Sequence, residues 1–250
     1  MNYAIVLAGG IGQRFGNANV PKQFVELTGV PMLVYSLRTA EINENIDEIC
    51  VVVSSGKQDE IKKWCETYGI TKVKTFAEPG RERQQSVYSG LNAIDAKPRD
   101  TVMIMTAVCP FVSQRTIDKQ YETIKNNDAS ITVVKATDAI TFSTDGKKVN
   151  RTLQKKKIYI QQGPQLFRYG VLMAGHKAYM EDENMNKLDI TEDSELVLNI
   201  GVECAMVMGD RFCIKVTYPE DLAMAESLHS LFKEQEKKYA EEKKNCAGNL

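Results

Sequence analysis

Hydrophobic positions along the chain come in short runs separated by longer amphipathic stretches. Tyr3–Ala8 (YAIVLA) is apolar without a break and stops at Gly9-Gly10, the pattern of a strand covered on both faces. Glu48–Val53, Val73–Phe76, Thr101–Met105 and Ser130–Val134 are further runs of strand length. Between them, helical patterns open at Pro31-Met32 and cover about Gln58–Tyr68, Gln84–Ala93 and Ser113–Lys125. The alternation predicts an α/β fold, a mostly parallel sheet with helices on both faces.

The pattern changes from Thr137 to Gln162. Ser143-Thr144-Asp145-Gly146 is a hairpin-type turn signal, and the runs beside it do not read as central strands. With Lys155-Lys156-Lys157 and Ile158–Gln161 behind it, this segment is expected to project as an arm. A helix near Arg168–Met180, a short strand at Glu203–Val207 and a long helix from near Pro219 follow. The end of that helix, KEQEKKYAEEKK, reads as a solvated face, so residues 231–250 are expected to be a charged helix end and tail. No linker rich in Pro, Gly or Ser divides the chain, and residues 1–230 read as one domain.

Composition narrows the classes. At 250 residues, 43% hydrophobic, the chain can bury one large core. A formal charge of −1, from 32 basic and 33 acidic residues, argues against a nucleic-acid partner but leaves small anionic ligands open. No apolar stretch approaches the roughly 20 residues that span a bilayer, and Met1–Ala8 lacks the basic flank of a signal peptide. The expectation is a cytoplasmic protein with no membrane partner. None of the six cysteines forms a CxxC pair, so they read as buried free thiols. His176 and His229 lie in helical patterns far apart, which disfavours a histidine triad or zinc site and suits core or surface positions. Trp64 reads as packing, and Met206 and Met208 as strand core or edge.

The chemistry concentrates in LAGGIGQRFGNANVPKQF, Leu7 to Phe24. Glycines at 9, 10, 12 and 16 directly after a strand let backbone N–H groups approach a phosphate chain. Arg14 and Lys22 add positive charge, arginine being able to grip phosphate bidentately. GxGxxG is absent, because Phe15 stands where its third glycine would be, and so is GKS/T. A dinucleotide-dependent dehydrogenase is therefore disfavoured, as it is by the lack of an obvious catalytic His or Tyr-Lys pair.

The pattern LAGG-x-G-x-R-x-G followed by PKQF resembles the cytidylyltransferases that act on methylerythritol 4-phosphate and ribitol 5-phosphate. Pro79-Gly80-Arg81-Glu82-Arg83-Gln84-Gln85-Ser86-Val87 resembles that family's cytosine-holding segment. Gln162-Gly163-Pro164-Gln165-Leu166-Phe167 resembles its TPQxF segment, and Ile214–Leu222 its IKVTxPEDL signature. The resemblance implies a Rossmann-like nucleotidyltransferase fold of the glycosyltransferase-A-like kind, working as a homodimer through the arm. It implies CTP and a polyol phosphate as substrates, Mg2+ carried by CTP, and release of pyrophosphate. Arg14, Lys22 and Lys215 would surround the triphosphate as the catalytic cations. Gly80 and Ser86, with backbone near Ala8–Gly10, would read the pyrimidine edge. Leu7, Gly12, Arg81 and Thr106 would complete the nucleotide site, and Lys155 and Gly163 would face the acceptor. Seen without the family, Lys215 could be an ordinary edge-strand lysine, and Glu82 with Arg83 a surface pair.

The acceptor side departs from the family. Its HDxxRP segment is here Met105-Thr106-Ala107-Val108-Cys109-Pro110, with Thr106 at the magnesium-binding aspartate and Cys109 at the arginine. A neutral hydroxyl is a poor substitute for a carboxylate on Mg2+. Ala139 and Lys155 replace the arm's usual threonine and arginine, and Gly163 the threonine of TPQ. Three explanations stay open. The acceptor differs and meets Lys155, Lys156 or Lys157; or Mg2+ is held by the triphosphate and water, helped by Asp193 or Asp210; or the protein is impaired and only binds nucleotide.

Overall fold

The computed structural model describes residues 1–10, 15, 20–182 and 189–247. In chain order the strands are β1 (Asn2–Leu7), β2 (Glu26–Leu27), β3 (Val30–Pro31), β4 (Glu48–Val52), β5 (Val73–Ala77) and β6 (Thr101–Thr106). They continue with β7 (Ala129–Lys135), β8 (Thr141–Phe142), β9 (Arg151–Thr152), β10 (Tyr159–Arg168) and β11 (Ala205–Met208). The α-helices are α1 (Met32–Ile42), α2 (Gln58–Tyr68), α3 (Arg83–Ala93), α4 (Gln114–Thr123), α5 (Tyr169–Glu181), α6 (Asp193–Asn199) and α7 (Pro219–Ala247).

Seven strands form the central sheet in the order β11-β7-β10-β6-β1-β4-β5. β1 runs parallel to both of its neighbours, β4 and β6, and β10 is the antiparallel member between β6 and β7. Alternation along β1 explains its unbroken apolar run. Ala4 and Val6 enter one core with Leu33, Val34 and Leu37 of α1, Ile61 of α2 and Ile117 of α4. Tyr3 and Ile5 enter the other with Val87 and Leu91 of α3 and Leu172 and Met173 of α5. The chain leaves β1 towards β4 on one side and β6 lies on the other, so by topology the carboxyl end of β1 is the switch point at which an open α/β sheet forms its crevice. In open α/β sheets that is where ligands bind. A third apolar cluster beyond this edge, with Met32, Phe111, Val216 and Phe232, seats α7.

Three expectations change. Tyr159–Gln162 pairs with Thr132–Lys135 inside the central sheet, so the arm ends before β10 rather than at Gln162. The strand is hard to recognise because Gln161-Gln162-Gly163-Pro164 breaks its pattern. Proline is tolerated in a central strand only at an irregularity, and the β10–β7 register shifts between Gln162 and Gln165. Ile214–Thr217 is not a strand but an irregular segment, pinned by Val216 N–H to the Val108 carbonyl at 2.9 Å. The third change is the charged end of α7, which docks on α4. The Tyr239 hydroxyl donates to Asp118 Oδ2 at 2.8 Å, Lys243 pairs with Asp118 at 3.1 Å, and Glu236 accepts the Gln114 N–H at 3.0 Å. The Arg115 guanidinium lies 4.9 Å from the Tyr239 ring centre. Glu236, Tyr239 and Lys243 recur at three- and four-residue spacing, so a mixed-charge sequence presents one coherent stripe to its neighbour.

The arm carries the expected turn. β8 and β9 pair antiparallel, Asp145 Oδ1 accepts the Lys147 and Lys148 N–H groups at 2.8 and 2.9 Å, and Gly146 takes φ +67°. Among the described residues no helix is long and apolar enough to cross a membrane.

Candidate active site

The crevice begins where the sheet ladder runs out. Ala8 N–H reaches the Val52 carbonyl at 2.9 Å, and Ala107 N–H reaches the Leu7 carbonyl at 3.1 Å. Beyond them the backbone is held by a side chain. The buried amide of Gln23 donates to the carbonyls of Ala8 at 2.5 Å and Gly10 at 3.0 Å. Its position in PKQF, in the short helical turn Lys22–Phe24, brings it back under the glycine loop.

A second turn abuts the first. A Cβ on Gly9 would stand 2.2 Å from Pro79 Cβ, and one on Gly80 would stand 2.2 Å from Gln85 Cβ. Only hydrogen fits at either place. Gly80 N–H donates to Ser86 Oγ at 3.0 Å, whose own hydroxyl donates to the Glu82 carbonyl at 3.0 Å. Arg81 N–H is taken by Gln85 Oε1 at 2.9 Å, while its side chain is exposed. Gly9 thus abuts Pro79, which brings the Gly80–Ser86 turn to the end of β1 beside the glycine loop.

The opposite wall is the turn after β6. Thr106 lies level with Leu7, and its carbonyl accepts Cys109 N–H at 3.0 Å and Ser36 Oγ–H at 3.3 Å. The buried Cys109 thiol is hydrogen-bonded to Cys213, whose sulfur also lies 3.3 Å from the Gly163 carbonyl. Lys22 Nζ donates to the Val216 carbonyl at 3.2 Å. The hydrogen bond from Cys213 lowers the Cys109 pKa against burial, with Lys215 and then Lys22 adding to it. Through its own bond Lys22 is tied to the residue after the exposed Lys215, and Val216 is in turn bonded to Val108 in the turn after β6.

Some expected residues are placed elsewhere. Gly12 and Arg14 lie outside the described residues. The Lys155 ammonium bonds the Thr137 carbonyl at 2.8 Å, within the arm. Asp193, offered above as an acid beside the metal, is fully buried: its Oδ2 takes Arg83 Nη2–H at 2.6 Å and its Oδ1 takes His176 Nε2–H at 3.1 Å. Burial raises its pKa, but Arg83 and then His176 bring it down to about 2. Asp210 accepts Phe212 N–H at 2.9 Å and faces Gln235 of α7. Among the described residues no group of three or more ligand-type side chains that could hold a metal occurs, so no set of them fits a protein-ligated Mg2+. Glu82 and Arg83 are not a surface pair either, since Arg83 turns inward. Trp64 packs on Phe24 with ring centres 5.3 Å apart, and Met206 and Met208 lie exposed on the edge strand β11.

The packing role of Gln23 and the ion-pair role of Glu192 escaped sequence reasoning, and Asp193 reads there only as a metal acid. A lone glutamine or an ED pair carries no periodic signal, and only the contacts made in the fold mark them out.

Comparison with known proteins agrees with this geometry. The family model described as 2-C-methyl-D-erythritol 4-phosphate cytidylyltransferase matches residues 2–230. A protein of that name from Geobacter metallireducens is 33% identical over 231 residues, covering 90% of this chain and 96% of the relative. The one from Geobacillus thermodenitrificans is 36% identical over 229 residues, covering 91% and 97%. Among solved structures, the 4-diphosphocytidyl-2C-methyl-D-erythritol synthase of Anaerococcus prevotii superposes with a TM-score of 0.79 at 27% identity, covering 91% of this chain and 95% of that one. The Francisella tularensis 2-C-methyl-D-erythritol 4-phosphate cytidylyltransferase gives 0.74 at 28% identity, covering 90% and 98%.

Proposed function

The chain belongs to the 2-C-methyl-D-erythritol 4-phosphate cytidylyltransferase family, and we propose from this that it joins the cytidylyl group of CTP to that acceptor or a close polyol phosphate. The observation that carries the reading is the abutment of Gly9 on Pro79, which brings the Gly80–Ser86 turn to the end of β1, together with Lys22 tied to Val216, next to Lys215, at the turn after β6. An oxygen of the acceptor phosphate attacks the α-phosphorus of CTP, the α–β P–O bond breaks, and pyrophosphate leaves. Little covalent work falls to the protein. The tight turn of Gly80–Ser86 holds the pyrimidine, the backbone of Ala8–Gly10 lies along the phosphates, and the lysines offset charge on the departing pyrophosphate. Mg2+ enters with the triphosphate, and no step is assigned to a protein-bound ion. The arm joins two copies, a reading supported by Phe142 and Val149, which are exposed there.

Thr106 and Cys109 favour a second reading, a protein that binds CTP with little transfer, because the carboxylate and the arginine of the family are both missing at this wall. Pyrophosphate release from CTP with methylerythritol 4-phosphate or ribitol 5-phosphate separates the two. Release with the first acceptor supports the enzyme as proposed, and release only with ribitol phosphate moves the acceptor. CTP binding without release from either supports the second reading.

A further inference from the structure

The turn that would read the base is poorly anchored by itself. Gly80, Arg81 and Glu82 are exposed, and the bonds Gly80–Ser86 and Arg81–Gln85 lie within the turn. What ties it to the body is the start of α3. The Gln84 side-chain amide donates to the Ile190 carbonyl, and Arg83 Nη2 reaches Asp193 Oδ2 at 2.6 Å and Glu192 Oε2 at 3.4 Å. Asp193 has no exposure at all, and behind it the equally buried His176 of α5 donates to its other oxygen at 3.1 Å. Glu192 Oε2 is further held by Gln165 Nε2 of β10 at 2.6 Å. A line of charge-assisted bonds thus runs from α5 and α6 to the first residue of α3, three positions before Ser86.

A buried ion pair adds little net stability over a well-packed apolar pair, but it fixes geometry, because breaking one side strands a charge away from water. The Arg83–Asp193 pair holds one direction and one distance.

We propose that Arg83 and Asp193, steadied by His176, are positioning residues that hold the Gly80–Ser86 turn in register with Gly9 and so set the preference for the cytosine ring without touching the nucleotide. The proposal rests on the cytidylyltransferase reading. Neither residue meets the reacting atoms, so their loss shows in CTP affinity and base preference rather than in the KM for the acceptor.

The test is titration calorimetry of CTP and UTP on the full chain, wild type against Asp193→Asn, with circular dichroism confirming the fold and steady-state pyrophosphate assays supplying both KM values. Loss of one charge-assisted bond is expected to weaken CTP about tenfold and to narrow the CTP/UTP ratio by a similar factor. His176→Gln, which can still donate to Asp193 Oδ1, should keep most of the preference, whereas His176→Leu should lose part of it. If Asp193→Asn does not fold, Arg83→Lys is read instead, because it keeps the charge and drops the fork. A folded variant with the wild-type CTP/UTP ratio overturns the proposal and leaves the family function standing. A wild type that binds neither nucleotide brings down both.

Discussion

Gly9→Ala probes the contact on which the proposed nucleotide site depends. A Cβ there would lie 2.2 Å from Pro79 Cβ and 2.9 Å from Pro79 Cγ. Carbon atoms in contact prefer about 3.5–4.0 Å, so the two segments must part by roughly 1.5 Å. The proline ring cannot swing aside as a flexible side chain would, since its φ is locked. Behind it Gly80 is pressed against Gln85, where its own missing Cβ would be 2.2 Å away. A shift of that size would stretch the 3.0 Å bond from Gly80 N–H to Ser86 Oγ beyond hydrogen-bond range. Overpacking costs about 1–3 kcal/mol and the lost bond about 1 kcal/mol more. For a chain of this size a destabilisation of that order lowers the melting temperature by about 5–10 °C. CTP affinity should drop by at least tenfold, because the base-reading turn moves away from the glycine loop. Thermal melts followed by circular dichroism and CTP calorimetry read the two effects. Gly10→Ala is the control: no described atom lies within 4 Å of its added Cβ, so stability should hold to within about 0.5 kcal/mol. Wild-type melting and wild-type CTP affinity in Gly9→Ala would refute the contact and the site built on it.

Lys22→Ala and Lys215→Ala should each weaken CTP by about 2 kcal/mol in calorimetry while leaving the melting temperature near wild type, as expected for one charge-assisted contact apiece. Thr106→Asp alone should leave turnover unchanged or lower it, because the new carboxylate faces an anionic acceptor without the arginine at Cys109; Thr106→Asp with Cys109→Arg should shift preference towards methylerythritol or ribitol phosphate in pyrophosphate assays. Asp193 has a pKa lowered from 3.8 to about 2, so its contribution is fully present above the unfolded value and is lost as pH falls from about 4 through 2. Urea unfolding between pH 5 and 2.5 should therefore lose roughly 2 kcal/mol from this group, and Asp193→Asn should flatten that part of the curve. Light scattering at micromolar concentration should give a dimer, and a strictly monomeric species would count against assembly through the arm.

What the sequence determined by itself was whatever depends on local order. The apolar run Tyr3–Ala8, the helix Gln58–Tyr68 and the turn Ser143–Gly146 are where their patterns put them, because burial on both faces, helical periodicity and turn chemistry are all local. The glycine loop could be read as a phosphate-binding loop for a similar reason, since glycine spacing and a following lysine keep their meaning without coordinates, whereas Pro79–Val87 was legible only through its family resemblance. Tertiary structure alone decided matters that depend on which surfaces meet. β10 lies mid-sheet despite Gly163-Pro164, because its bulge pairs around them. The charged end of α7 is docked because Asp118 and Arg115 happen to face its stripe. Asp193 is no metal acid because Arg83 and His176, 110 and 17 residues away, both reach it in the interior. A carboxylate's role is set by what surrounds it once water is excluded, and those neighbours are brought together only by folding.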